Sequence, residues 1–143
     1  MLRGNYPARI DEKGRLKVPA QFKEELERSY KGEFWVSSPD GQHAWIYPME
    51  EWNKVEERLL NGSVSSQLRH KFLDRANYYG QVAKWDLQGR ILIPAQLREA
   101  AQIKGHVAVL GNLTYLTVKN NDRYLAEIKD DPITTEELDA LGL

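Results

Sequence analysis

One stretch of this chain occurs twice, and this duplication restricts the possible folds more than any other feature. Residues 11–24 read DEKGRLKVPAQFKE and residues 86–99 read DLQGRILIPAQLRE, so the two stretches align without a gap. Asp, Gly, Arg, Pro, Ala, Gln and Glu coincide, and most other positions exchange like for like. An internal repeat encodes one structural unit twice. We therefore expect both halves of the chain to contain the same order of strands and helices.

Each copy begins with a turn motif. In the pattern Asp-x-x-Gly-Arg, the Asp side chain can accept hydrogen bonds from backbone N–H groups that follow it, and Gly adopts a positive φ at little cost. Residues 16–18 and 91–93 are rich in apolar side chains and predict short strands. Pro19 and Pro94 then suit the first turn of a helix. Each half is predicted as strand, turn, strand, short helix, strand, turn, strand.

A helical segment is predicted between the two halves. Apolar residues at helical spacing form two stripes, separated by the helix-breaking residues 61–63. The first stripe comprises Trp52, Val55, Leu59 and Leu60, and the second comprises Leu68, Phe72, Leu73 and Ala76. These stripes predict an antiparallel helical hairpin, which would pack either on the barrel or on a neighbouring subunit.

The chain is accordingly divided into four parts. Residues 1–52 form the first repeat, 53–80 the helical insert, 81–125 the second repeat and 126–143 an acidic C-terminal tail. From roughly residue 130 on, the chain is expected to be a mobile segment or a short helix.

The predicted fold follows from the weakness of each half. A single half has few strands and would expose its sheet edges, so it should not be stable alone. Interleaving the two halves about a pseudo-two-fold axis would close the sheet around one shared core. The fold class is therefore α+β, mainly β with helices: a small β-barrel formed by two internal repeats, with a helical hairpin inserted between them.

Composition excludes several classes of site. The chain has no cysteine, which removes disulfides, thiolate catalysis and cysteine-ligated zinc. His43, His70 and His106 lack metal-ligand spacing, so no metal and no cofactor is predicted. No signal-peptide pattern follows the N-terminus, and no apolar run approaches the roughly 20 residues that a membrane span needs. A cytoplasmic protein without a membrane partner is expected.

Charge is unevenly distributed although the whole chain carries only −1. Residues 1–23 contain six basic and two acidic residues, a net charge of +4. Residues 119–143 contain three basic and seven acidic residues, a net charge of −4. This separation can give one face a positive field that attracts a polyanion, or it can be ordinary solvated surface. Charge alone does not favour either interpretation.

Several further motifs carry a resemblance to a known family. They are Arg3-Gly4 at the start, the two Asp-x-x-Gly-Arg motifs, Trp45-Ile46-Tyr47-Pro48 with Trp52 behind it, and Val109-Leu110-Gly111. Together they make the chain resemble the MraZ family over nearly its whole length. That family belongs to the AbrB-like group of swapped-hairpin or double-psi barrels. The resemblance implies a bacterial transcription factor that binds short direct repeats in double-stranded DNA as a ring-shaped homo-oligomer. It also implies action at the promoter of the division and cell-wall gene cluster, and thus association with the nucleoid.

The candidate DNA-binding residues come from this resemblance and from the chemistry of the motif. The family's DNA-contacting motif falls on residues 11–15, and the candidates are Lys13, Arg15, Lys17, Arg3 and Arg90. An arginine at a hairpin tip can donate to guanine O6 and N7 together in the major groove, whereas lysines suit phosphate. A structural role in the turns is expected for Asp11, Gly14, Asp86 and Gly89.

An alternative role for the arginines is purely structural. Arg15 could pair with Asp11 inside the barrel, and Arg90 with Asp86. DNA contact is favoured for the first copy, since the positive charge surrounds it. The structural role is favoured for the second copy, where Gln88 and Leu92 replace Lys13 and Lys17.

Other function classes fit less well. A hydrolase with paired Asp11 and Asp86 needs two carboxylates that share a proton, but the neighbouring arginines would keep both ionised. No serine-hydrolase, Walker or dinucleotide-binding motif is present, so no catalytic residue and no enzyme activity is predicted. A protein-interaction module of the AbrB-like antitoxin type is the remaining alternative, with the acidic tail binding a partner.

Overall fold

The computed structural model describes all residues from 1 to 143. The first half contains β1 (Asn5–Ile10), β2 (Arg15–Lys17), α1 (Ala20–Ser29), β3 (Glu33–Ser37) and β4 (Ala44–Pro48). Two helices follow, α2 (Met49–Asn61) and α3 (Ser66–Tyr78). The second half contains β5 (Gln81–Lys84), β6 (Arg90–Leu92), α4 (Ala95–Ala101), β7 (Gly105–Gly111) and β8 (Leu116–Asn120). Both halves therefore have the same order of elements, as the repeat predicts.

The eight strands form one antiparallel sheet in the order β5-β3-β4-β8-β7-β1-β2-β6. Four of its ladders join one half to the other: β1 with β7, β3 with β5, β2 with β6, and β4 with β8. This pairing is symmetric: when each strand is replaced by its equivalent in the other half, the same four ladders result. The end strands β5 and β6 lie against each other, so the sheet is nearly closed. This confirms the predicted α+β barrel of two interleaved repeats and is consistent with an AbrB-like barrel.

The core lies inside the barrel and is built by both halves. Leu16 of β2 and Ile91 of β6 face each other across their ladder, and both are fully buried. Phe34 of β3 is also fully buried and makes an edge-on ring contact with Trp85 at a centroid distance of 5.0 Å. Since 19 buried residues from both halves form this one cluster, neither half has a complete core by itself.

The helical insert packs on the barrel of its own chain. Trp52 of α2 and Ala76 of α3 are buried in a second cluster with Tyr47 of β4. The Trp52 ring stacks on Trp35 at a centroid distance of 5.9 Å. Ser37 Oγ donates a hydrogen bond of 2.6 Å to the Ala76 carbonyl oxygen, which attaches α3 to β3. These aromatic side chains are therefore packed against the sheet, with Trp52 and Tyr47 inside the monomer.

The first helix of the insert follows β4 directly. Helix α2 starts at Met49, four residues before the range 53–80. Pro48 occupies the N-cap position, and Glu50 and Glu51 lie in the first turn, where negative charge interacts favourably with the helix dipole. The helix therefore begins directly after Pro48, and no side-chain hydrogen bond caps its first turn.

The C-terminal region is helical. Helices α5 (Asn121–Asp130) and α6 (Thr135–Ala140) follow the last strand. The Asn120 side chain caps α5 by accepting from the Arg123 N–H at 3.1 Å, and Thr134 with Glu137 forms a capping box at α6. For the segment from about residue 130 on, where a mobile segment or a short helix was expected, the structure has the short helix α6. None of the six helices combines the length and the apolar character that crossing a membrane requires.

Candidate nucleic-acid interface

The two Asp-x-x-Gly-Arg turns meet because the strands that follow them are paired. Strand β2 runs antiparallel to β6, with Arg15 opposite Leu92 and Lys17 opposite Arg90. Successive side chains of a strand point to opposite faces. Since Leu16 and Ile91 point into the core, these four side chains lie on the outer face. We call this two-stranded segment, Arg15–Lys17 with Arg90–Leu92, the cationic ribbon.

Asp11 organises the first turn. Its Oδ1 accepts hydrogen bonds from the backbone N–H groups of Lys13 at 3.0 Å and Arg15 at 2.9 Å. Its Oδ2 accepts a 2.8 Å hydrogen bond from Arg15 Nε. Gly14 has a φ of 87°, which a residue with a Cβ rarely adopts. The turn therefore holds Arg15 in one position by local bonds alone.

The second turn repeats this arrangement and adds one contact. Asp86 Oδ1 accepts from the backbone N–H groups of Gln88 and Arg90, and Asp86 Oδ2 accepts from Arg90 Nε at 2.7 Å. Arg90 Nη1 also lies 3.6 Å from Asp11 Oδ2. Arg90 thus contacts two carboxylates and its side chain is 23% exposed, whereas Arg15 contacts one and is 34% exposed.

These contacts keep both aspartates ionised. The Arg15 backbone N–H, helped by the Arg15 guanidinium, lowers the pKa of Asp11 below its ordinary value of 3.8. Desolvation raises the pKa of Asp86, but the hydrogen bonds from Arg90 and Gln88 outweigh it, so that this pKa is also lowered. Two ionised carboxylates, each bound to an arginine, do not share the proton that a paired-Asp hydrolase needs.

We expect these aspartates to make stability sensitive to acid. A carboxyl group whose pKa is lower in the folded state stabilises the fold above its unfolded pKa and loses this effect as pH falls through the folded pKa. The unfolded value is near 3.8, so the contribution should be complete above that pH and disappear below it. Urea unfolding of wild type and Asp11→Asn should differ at pH 6 and converge in the most acidic buffers. A difference independent of pH would contradict the assignment.

Each turn is also covered by a side chain from the other repeat. Arg98 of α4 packs on Gly14, where a Cβ would overlap the Arg98 guanidinium. Arg98 Nη1 donates to the carbonyl oxygens of Lys13 at 3.3 Å and Ile93 at 2.9 Å. Lys23, the equivalent residue of α1, covers Gly89 in the same way. A Cβ at either position would displace the end of a flexible side chain, whereas the positive φ of both glycines is what requires glycine in the turns.

An open groove lies beside the first turn. It has a volume of about 630 Å³, and six cationic side chains and two carboxylates line it. The cationic residues are Arg9, Arg15, Lys17, Arg90, Arg98 and Lys104. Only Ile10 and Ile103 are apolar, so the groove suits a charged ligand better than an apolar one.

Most of this positive charge is not neutralised by the protein. Arg9, Lys17, Arg98 and Lys104 form no salt bridge, and neither does Lys13 at the turn. Lysine and arginine side chains that lack a carboxylate partner remain available to phosphate oxygens.

The structure brings four of the five candidate DNA-binding residues together. Lys13, Arg15, Lys17 and Arg90 lie at the turns or on the cationic ribbon. The Lys17 ammonium donates to the Gln88 carbonyl oxygen, which ties it to the second turn. Arg3 lies before the opposite end of β1, which at about 3.3 Å per residue is roughly 20 Å from the first turn. Arg3 is therefore not part of the groove.

Sequence reasoning did not identify Arg9, Arg98 and Lys104 as members of this site. For Arg98 the sequence holds one signal: the repeat aligns it with Lys23, so both copies have a basic residue at this position. Arg9 lies on β1 two residues before Asp11, and Lys104 joins the groove through the β1–β7 ladder, in which Ile10 lies opposite Gly105. The position of Lys104 depends on pairing between residues distant in sequence, which no local pattern reveals.

Comparison with known proteins agrees with the repeat architecture. A family model described as "MraZ protein, putative antitoxin-like" matches residues 1–75 and 81–142. A protein named Transcriptional regulator MraZ from Koribacter versatilis is 51% identical over 138 residues, covering 96% of this chain and 94% of its own. Its namesake from Acidobacterium capsulatum is 47% identical over 142 residues, covering 99% and 97%. Another from Neisseria meningitidis serogroup A is 32% identical over 137 residues, covering 92% and 91%. The family model and these relatives span both repeats and the insert, and the chain therefore belongs to the MraZ family.

Proposed function

We propose that this protein is a sequence-specific DNA-binding transcriptional regulator and not an enzyme. The observation that carries the proposal is the cationic ribbon, two rigid strands with Arg15, Lys17 and Arg90 on one outer face beside an unneutralised groove. The names of the relatives support the same function. A two-stranded β-ribbon fits the major groove of B-DNA, and the free cations can bind the flanking phosphates.

Arg15 is the residue best placed to read a base. Asp11 accepts from its Nε only, so both terminal nitrogens of the guanidinium remain free to donate to guanine O6 and N7. The carboxylate also fixes the side chain before DNA arrives, which lowers the entropy lost on binding. Arg90 has less freedom, since one of its terminal nitrogens faces Asp11 and the side chain is more buried. This supports base reading by the first copy and a mainly structural role for the second.

We further propose that a homo-oligomer binds the DNA. One subunit offers few phosphate contacts, so its own affinity should be low and very sensitive to salt. Several subunits engaging spaced direct repeats would gain avidity of roughly 10²- to 10⁴-fold without any new type of contact. By its resemblance to the family, the target is the promoter of the division and cell-wall gene cluster, and the protein is cytoplasmic and associated with the nucleoid.

A salt titration tests the proposal. Binding of the protein to a labelled duplex from its own upstream region should weaken as salt rises, with log K falling linearly with log[salt]. Lys13→Ala should reduce the slope by about 1 for each engaged subunit, because one phosphate contact is lost. Lys71→Ala on α3 removes an exposed lysine outside the groove and should leave the slope unchanged. Association that ignores salt, or absence of binding at low salt, would refute a nucleic-acid function.

The alternative is an antitoxin-type protein-interaction module. The family description and the exposed apolar side chains of the acidic C-terminal region, Leu125, Ile128 and Ile133, favour it. A chain of this type would bind a protein partner through that region. Repeating the salt titration with a shuffled duplex of equal length distinguishes the two functions. Only a DNA-binding regulator should bind its own upstream duplex more tightly than the shuffled one.

A further inference from the structure

We propose that Leu92 is a specificity-determining residue that reads the methyl group of thymine in the DNA target. The inference rests on the proposed DNA-binding function and adds a second base-reading element to the same ribbon. Leu92 is an apolar side chain on a surface that is cationic around it.

Leu92 lies at the Arg15 end of the cationic ribbon. It is the direct partner of Arg15 in the β2–β6 ladder, and its side chain is on the outer face because Ile91 points into the core. Opposite residues of antiparallel strands have Cβ atoms about 5 Å apart. Leu92 is 46% exposed, which leaves it free to contact a ligand that lies against Arg15.

The repeat shows that an apolar residue at this position is not required by the fold. Lys17 is the equivalent residue in the first copy, on the same strand position and the same outer face. An exposed lysine is therefore compatible with the local structure. The second copy nevertheless presents leucine, with Arg15, Lys17 and Arg90 around it.

Thymine offers the matching chemistry. In the major groove, thymine presents a C5-methyl group that apolar side chains contact, while guanine presents the two acceptors that suit arginine. Base pairs are stacked about 3.4 Å apart, and Arg15 and Leu92 are about 5 Å apart at Cβ. A ribbon seated in the major groove would therefore place Leu92 over a thymine within one or two base pairs of the guanine that Arg15 contacts.

The experiment removes the methyl group from the DNA. Affinity is measured for the native upstream duplex and for the same duplex with each thymine replaced in turn by deoxyuridine. Wild type should bind the modified duplex about 4-fold less tightly for each contacted methyl, the value expected for one buried methyl-sized group. Leu92→Ala should bind both duplexes equally. Leu60→Ala, an exposed leucine of the insert, should keep the wild-type discrimination.

A second variant shows whether the loss of discrimination is separate from a general loss of DNA binding. Leu92→Lys copies the residue of the first repeat, so it should fold and bind DNA with a salt slope steeper by about 1 per engaged subunit, without discriminating thymine from deoxyuridine. Discrimination that persists in Leu92→Ala or Leu92→Lys would overturn the proposal, because the methyl effect would then arise from DNA deformability or another residue.

Other results separate this inference from the function on which it rests. Salt-dependent binding that is equal for thymine and deoxyuridine in wild type overturns the role of Leu92 and leaves the DNA-binding function intact. A Leu92→Lys protein whose solution mass falls below that of wild type would show that Leu92 contacts a second copy of the chain, which also overturns the proposal. Absence of any DNA binding removes both.

Discussion

Arg15→Ala is expected to lower the affinity for promoter DNA by roughly 5- to 150-fold for each engaged subunit, since a bidentate arginine–guanine contact contributes about 1–3 kcal/mol. Every subunit of a homo-oligomer carries the substitution, so two engaged subunits should multiply the loss. The turn itself should survive, because Asp11 Oδ1 still accepts from the backbone N–H groups of residues 13 and 15. Gel shift or fluorescence anisotropy against the native upstream duplex measures the effect.

Two variants control this experiment. Arg75→Ala removes an exposed arginine of the insert that forms no salt bridge, and we expect wild-type binding from it. Arg15→Lys keeps the charge but loses the planar fork, so it should retain salt-dependent binding while discriminating poorly between native and shuffled duplexes. Wild-type affinity in Arg15→Ala would remove Arg15 from the interface.

Arg90→Ala provides the comparison between the two copies. Because Arg90 lies between Asp86 and Asp11, its loss leaves Asp86 without a cation and Asp11 with Arg15 alone. The variant should therefore lose stability more than DNA affinity. A folded Arg90→Ala protein with a loss of affinity equal to that of Arg15→Ala would show that both copies read DNA.

Phe34→Ala is expected to destabilise the fold by about 3–5 kcal/mol, the range for removing a buried phenylalanine ring. Phe34 is fully buried, and its ring meets Trp85 edge-on at 5.0 Å. Its strand is paired with β5 of the other half, with Phe34 opposite Ala83. The strands around Phe34 belong to one nearly closed sheet, so they cannot move inward to fill the cavity that the alanine leaves. A loss of this size is a large part of the total stability of a typical domain, which is about 5–15 kcal/mol.

Urea unfolding at a fixed protein concentration measures this effect, since assembly would otherwise change the apparent stability. Leu60→Ala serves as the control, because Leu60 is 73% exposed and a surface change of this kind costs less than about 0.5 kcal/mol. A loss below about 1 kcal/mol for Phe34→Ala would mean that the two halves are not joined by this core.

Local chemistry made the turns and the order of elements predictable. An Asp followed at the right spacing by Gly and Arg specifies its own hydrogen bonds, and Asp11 and Asp86 form the same set in both turns. The duplication then implied that both halves have the same elements. Because neither half could bury a core alone, an interleaved barrel was the expected solution, and the structure confirms it.

Other features depend on contacts that no local pattern encodes. Arg98 covers the Gly14 turn and donates to Lys13, a residue 85 positions earlier in the chain. Lys104 reaches the same groove only because β1 pairs with β7. The packing of the insert on its own barrel was likewise undecided until Trp52 and Ala76 were seen buried against β3 and β4.

The sequence by itself thus determined the repeated unit, its two arginine-bearing turns and the need for the halves to combine. Only the tertiary structure decided which residues share the groove, that Arg90 lies between two carboxylates and that Leu92 stands beside Arg15 on the outer face. The physical reason is that turns are held by hydrogen bonds between near neighbours, whereas the binding face is assembled by strand pairing between the two halves. That pairing is set by burial of the common core, which involves the whole chain at once.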